Sequence, residues 1–132
     1  MITIKEIILR ENKIENAINK LNDLPKGQIF DDAKNITSIF KKSNYSWSYV
    51  IETFEKNISN SKHEKVFIKD IFITQPNIQI KKVIKMLNNI DSLPIINAVK
   101  FKNNTIAIYD GHHRLITYWA LGMDSIMVNL VH

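Results

Sequence analysis

The chain has 132 residues and a mass of 15.4 kDa, with 45% apolar and 23% charged residues, one domain's length with an ordinary globular composition that excludes wholesale disorder. With no cysteine, disulfide scaffolds, thiol catalysis and cysteine-ligated zinc are excluded too. The net charge of +5 is uneven: residues 1–60 hold nine Lys/Arg against eight Asp/Glu (+1), and residues 61–132 hold nine against five (+4), so the second half attracts phosphate-bearing partners without choosing among them.

In chain order, Ile4, Ile7, Ile8, Ile14, Ala17, Ile18 and Leu21 recur at three- and four-residue steps and predict an amphipathic helix ended by Pro25 and Gly27. The segments 31–40 (Phe30, Ala33, Ile36, Ile39, Phe40) and 45–58 (Trp47, Val50, Ile51, Phe54) repeat that spacing more weakly and predict further helix. The polar stretch 57–65 reads as a linker, which divides the chain into a helical N-terminal extension (1–60) and an α/β unit (61–132). In that unit, 66–73 reads as one strand or two short ones. A helix over 80–90 and strands over 95–101 and 105–109 follow, the strands joined by Asn103-Asn104, a pair tolerant of positive φ. Asp110-Gly111 breaks the strand, 112–121 is a helix closed by Gly122, and 126–131 is a last strand. The fold class expected is α+β, helical at the front and compact α/β behind. No apolar run approaches the ~20 residues of a membrane span, and the start Met-Ile-Thr-Ile-Lys-Glu lacks an apolar signal-peptide core. A cytoplasmic protein without a membrane partner is expected, and the N-terminal helices are candidates for a homodimer contact.

The chemistry concentrates in Asp110-Gly111-His112-His113-Arg114, at a strand-to-helix junction. The first backbone N–H groups of a helix lack internal partners and carry the positive end of the dipole, a ready site for phosphate. Gly111 permits a sharp turn and close approach of a ligand. Arg114 is one of only two arginines among eighteen basic residues, which points to a need for a planar, bidentate donor. His112 and His113 can change charge near neutral pH, and Asp110 is either a helix N-cap or the nearest carboxylate for a Mg²⁺ ion. Leu115, Ile116, Trp119 and Ala120 would bury one helix face and hold the first turn rigid while its polar groups stay free. Trp119 and Tyr118 read as core and flank, and His63 and His132 as solvated. A weaker second element is Thr74-Gln75-Pro76-Asn77: Thr74 is a plausible cap, Pro76 is routine near a helix start, and Gln75 is the residue with a functional reading.

The run IYDGHHRLITYWALGMDSIMVNLV (Ile108–Val131) resembles the core of the ParB/sulfiredoxin fold, in which a strand ends in a Gly-x-x-Arg turn, a helix follows, then Leu-Gly and a final strand. Thr74-Gln75-Pro76 resembles the upstream Gln-Pro box of that fold. The similarity spans about residues 64–132. It implies nucleotide binding (CTP, ATP or ADP) with phosphates on the helix amino end, cradled by Gly111, His112, His113 and Arg114 and faced by Gln75. Some members are described as ParB-like nucleases. The sequence departs from partition proteins, which show Gly-Glu-Arg-Arg at the turn, and lacks the carboxylate tied to nucleotide hydrolysis there. Asn77 stands where the box usually continues with Arg, and the sulfiredoxin cysteine is missing. No helix-turn-helix follows the last strand, which argues against centromere binding.

Three functions are expected to compete. The first is hydrolysis of a nucleotide or nucleic-acid phosphate, in a phage, plasmid or toxin setting, with His112 or His113 as general acid/base, Arg114 stabilising charge and Mg²⁺ at Asp110. The second is a nucleotide- or DNA-binding module without turnover. The third, implied by the likeness of Asp-Gly-His-His-Arg to a free-serine kinase, needs a base that Glu64 or Asp70 would have to supply.

Overall fold

The computed structural model describes residues 2–29 and 31–132; Met1 and Phe30, the latter counted in the 31–40 spacing, lie outside the described residues. Helix α1 (Ile4–Asn22) begins at a capping box: Thr3 Oγ1 accepts the Glu6 N–H (3.1 Å) and the Glu6 carboxylate accepts the Thr3 N–H (3.4 Å). Only Ala17 and Leu21 of α1 are buried. The helix expected over 31–40 does not form. Strand β1 (Ala33–Asn35) stands there, followed by a turn. Asn35 Oδ1 accepts both the N–H and the hydroxyl of Thr37 (2.8 and 2.6 Å), the local side-chain bonding that competes with a helix, while Asn35 N–H is drawn to Pro25 C=O (2.8 Å). Helix α2 (Trp47–Lys56) starts at Ser46, whose hydroxyl accepts the Tyr49 N–H.

The stretch 57–65 is not a linker. It makes a 3₁₀ turn (Ile58–Asn60) and most of β2 (Lys62–Phe67). β2 pairs with a single neighbour, so of its six residues only Val66 is buried, and an edge strand of that kind carries a loop-like composition. The remaining strands are β3 (Ile71–Phe72), β4 (Asn77–Gln79), β5 (Ile96–Lys100), β6 (Ile106–Asp110) and β7 (Ser125–Val131), with helices α3 (Ile80–Leu87) and α4 (His112–Ala120) between them. Asn104 takes φ 67° in the β5–β6 hairpin and Gly122 takes φ 80° after α4, as the turn chemistry predicts.

Five strands form a mixed sheet in the order β2-β7-β5-β6-β3; β1 and β4 pair separately. β3 runs parallel to β6 and β5 parallel to β7, while β2–β7 and β5–β6 are antiparallel. Alternation along the strands sorts side chains between two layers. Ile96, Ala98, Ile108, Val128 and Leu130 pack with Leu115 and Ile116 of α4, Val83 and Leu87 of α3, and Ala17 and Leu21 of α1. Val99, Ala107 and Val131, on the other face, meet Val50 and Phe54 of α2. The sheet is therefore covered on both faces, which explains the near-continuous apolar runs of β5 and β6. Ala17, Leu21, Leu24, Ile36 and Phe40 share one core with residues of the second half. Residues 1–60 are thus a structural layer of the fold, with no separate core at the expected boundary. Among the described residues no helix is long and apolar enough to cross a membrane.

Candidate functional site

Because β3 and β6 are parallel, their carboxyl ends deliver two segments side by side: Thr74–Gln79 after β3, and Gly111 with α4 after β6. Such carboxyl ends are the usual place for a ligand crevice in sheets with parallel strands. The residues of the two predicted motifs, 110–114 and 74–77, all lie here, but they divide into two groups.

His112, Arg114, Gly111 and Asp110 are committed to the fold. The His112 ring is buried at 3% exposure, and its Nε2 accepts the backbone N–H groups of Thr74 (2.9 Å) and Gln75 (3.2 Å). An imidazole that accepts at Nε2 is neutral and carries its proton on Nδ1. Burial, then the neighbouring His113, against a smaller opposing effect of Asp110, lowers its pKa from 6.5 to about 4. Thr74 secures the same junction from below, donating its hydroxyl to Ile108 C=O (2.7 Å); it caps no helix. The Arg114 side chain is 10% exposed, and both of its terminal nitrogens are engaged from inside: Nη1 donates to the carbonyls of Pro94 (3.0 Å) and Ile95 (2.7 Å), and Nη2 donates to Asp110 Oδ1 (2.8 Å). The need for a planar donor is real, but the acceptors are the chain's own. The expectation that the polar groups of the first turn stay free is corrected for both residues.

Gly111 has φ 116°, a left-handed conformation that side chains resist, and a Cβ there would lie 2.8 Å from Ile96 Cγ1 and 3.3 Å from Arg114 Nε. What requires glycine is thus the backbone turn and the packing of Ile96 and Arg114. Gly111 is also the N-cap of α4, with no side-chain cap, so Asp110 does not cap the helix. Asp110 Oδ2 accepts from Asn97 Nδ2 (3.2 Å), which engages its second oxygen as well. Among the described residues no three His, Cys, Asp or Glu side chains gather as a metal site. Each oxygen of Asp110 already accepts one hydrogen bond, from Arg114 and from Asn97, so its carboxylate is held by the fold.

His113 and Gln75 form the second group. A cavity of about 390 Å³ opens beside the amino end of α4, lined by Ile29, Gln75, Pro76, Asn77, Gln79, Lys82 and His113. His113 is half-buried and its Nε2 accepts the Gln79 N–H (3.0 Å), so this ring too is held as the neutral Nδ1–H tautomer. Burial first, then Lys82 and Arg114, lower its pKa, while Asp32 pulls the other way. The two adjacent rings point apart and each holds one stretch of the 74–79 segment. Among the described residues, the backbone N–H groups of His112, His113 and Arg114 meet no acceptor, whereas Leu115 N–H closes the first helical bond on Gly111 C=O (2.8 Å). By contrast, α3 is capped from the residue before β1: Asp32 accepts from Ile80 N–H through its carbonyl and from Lys81 N–H through its carboxylate. Of the two helix starts beside this crevice, α3 has its first two amides capped by Asp32, whereas none of the first three of α4 is capped.

The sequence reading missed Lys82, Gln79 and Ile29. Lys82 was legible as the third residue of α3, one turn past the Gln-Pro box, but the helix register that turns it toward His113 depends on where Asp32 starts α3. Glu64 and Asp70, the bases a kinase reading needs, are elsewhere. Glu64 lies on β2 at the opposite edge of the sheet, bonded to His132, and Asp70 precedes β3 at its amino end. His63 and His132 are both exposed, as expected; His63 stands in β2 opposite Asn129, and His132, just after β7, meets Glu64. Trp119 is partly buried against the core with Lys20 Nζ 4.5 Å above its ring, a flank residue as expected. No protein-family model matches the chain, and no curated protein is significantly similar to it.

Proposed function

We propose that the protein is a phosphate-recognising module that takes a nucleotide, or the phosphate of a nucleic acid, in the cavity between Gln75–Lys82 and the start of α4. The observation that carries this reading is the pairing, on one crevice, of an uncapped helix amino end with a cavity lined by Lys82, Gln75, Gln79 and His113. Unpartnered amides supply fixed dipoles, Lys82 supplies a mobile positive charge, and the amide side chains of Gln75 and Gln79 supply donors and acceptors for orientation. The Asp-Gly-His-His-Arg turn and the Gln-Pro box, which resemble those of the ParB/sulfiredoxin fold, point to the same ligand class.

Binding without turnover is the better-supported form. His112 is buried and neutral with Nε2 occupied, both Nη groups of Arg114 are bonded to the chain's own oxygens, and both oxygens of Asp110 accept from Arg114 and Asn97. A hydrolytic mechanism retains only His113, through Nδ1. Thermal stability in ATP, ADP, CTP, GTP and pyrophosphate, with and without Mg²⁺, tests the reading. A ligand at a hundredfold excess over Kd stabilises the folded state by about 2.7 kcal/mol, which raises Tm by several degrees. Lys82→Ala is expected to remove about half of that rise, and the nucleotide is expected to be recovered unchanged. Salt-sensitive DNA binding without a nucleotide shift assigns the phosphate to nucleic acid. The absence of both a nucleotide-induced shift and DNA binding overturns the reading.

A further inference from the structure

Two unfavourable features coincide at Ile29. Its backbone takes φ 87°, in the left-handed region where a β-branched residue is a genuine outlier, and its side chain is 82% exposed. Glycine or asparagine would make the same turn with less strain. Among the described residues Ile29 belongs to neither apolar core, so packing does not explain an isoleucine here. The turn is nevertheless fastened. Gly27 N–H donates to Ala33 C=O (2.8 Å), and Gln28 N–H donates to Asn77 Oδ1 (3.2 Å). A Cβ on Gly27 would lie 2.5 Å from that same oxygen, so the chain runs tight against β4. Asn77 thus holds the turn that sets Ile29 on the lining of the phosphate cavity. Strain kept in place by its surroundings gathers at ligand sites.

The cavity lining divides by chemistry. Ile29 and Pro76 are apolar, whereas Gln75, Gln79, Lys82 and His113 are polar or charged. Inorganic phosphate, or a phosphate of a duplex with its bases stacked inside, would use the polar part alone. From Ile29 we infer that the ligand is a small phosphate ester whose apolar organic body lies on Ile29 and Pro76 while its phosphate faces Lys82, an inference that rests on the phosphate reading above. Ile29 is then the residue that sets specificity. At about 390 Å³ the cavity is within the range of small-molecule sites. Covering the exposed isoleucine removes apolar area from water on both partners, which favours the ester over the inorganic ion.

Titration of the ¹⁵N-labelled chain with phenyl phosphate and with inorganic phosphate, at fixed ionic strength, tests this, since the two ligands differ by the ring. The wild-type chain is expected to bind phenyl phosphate about tenfold more tightly, with shifts at the Gln28 and Ile29 amides for the ester alone. Ile29→Asn places a residue that tolerates the turn. It is expected to melt no lower than wild type, to bind inorganic phosphate unchanged, and to lose the preference for the ester. Equal affinity of the wild-type chain for both ligands, or a preference that survives Ile29→Asn, overturns the inference and leaves the phosphate reading standing. Binding of neither ligand overturns both. A melting temperature of Ile29→Asn well below wild type also overturns the inference, because the isoleucine then serves the fold.

Discussion

The turn at 110–114 and the cavity wall at 75–82 hold the same kinds of polar residue, yet only the second keeps them available. In the turn, every long polar side chain reaches back into the protein: Arg114 to Pro94, Ile95 and Asp110, Asp110 to Asn97, His112 to the amides after β3, and His113 Nε2 to the Gln79 amide. Along the wall, the Gln75 and Lys82 side chains have no hydrogen bond among the described residues, and both line open volume beside His113. Residue type therefore marks where chemistry is possible, and committed partners decide whether it is available. A residue chosen to brace a ligand site and one chosen to touch the ligand look alike in sequence.

Variants can break this division. Arg114→Ala carries the largest expected effect. It strips two carbonyls and a half-exposed carboxylate of a buried donor, and a loss of about 3 kcal/mol in urea unfolding is expected. Arg114→Lys should recover little, since one ammonium cannot span all three acceptors. If Arg114→Ala keeps full stability and loses nucleotide binding, the assignment reverses. A comparable amount is expected from acid. His112 titrates at about 4 in the folded chain against 6.5, so between those values the unfolded chain binds the extra proton. Stability is fully present above pH 6.5 and falls as pH drops toward 4, by roughly 3 kcal/mol in total. His113, also lowered, adds loss in the same direction. Unfolding followed from pH 7.5 to 4.5 checks this, and His112→Gln should flatten the profile.

Gly111→Ala is expected to cost about 2 kcal/mol, from the positive φ and the contact with Ile96; an unchanged melting temperature would mean the turn relaxes freely. Lys82→Ala is the smallest in stability and the sharpest in meaning. Stability should move by less than about 0.5 kcal/mol, while affinity for a phosphate ligand should fall about tenfold, as expected for loss of a charge-assisted contact.

Much of the fold was legible because periodicity and punctuation agree. The 3.6-residue stripes of α1, α3 and α4, the Asn103-Asn104 hairpin and the Gly122 stop all rest on local physics. The errors have one cause, which is tertiary context. Ile36 and Phe40 are spaced as on a helix, but they are buried from a strand and a turn that Asn35 and β4 hold. β2 reads as linker because an edge strand buries so little. For the site, the position was legible and the division of labour was not. Nothing local tells that the fork of Arg114 meets Pro94 and Ile95, twenty residues earlier, or that Asp32 sets the register of Lys82.

A titration of the ¹⁵N-labelled chain with ADP and with pyrophosphate, followed amide by amide, addresses the phosphate crevice directly. Saturating shifts concentrated at His112, His113, Arg114, Gln75 and Lys82, with the Arg114 side chain still bonded to its own carbonyls, are the predicted result. Shifts confined to residues away from this crevice, or no saturable shift with either ligand, would contradict it.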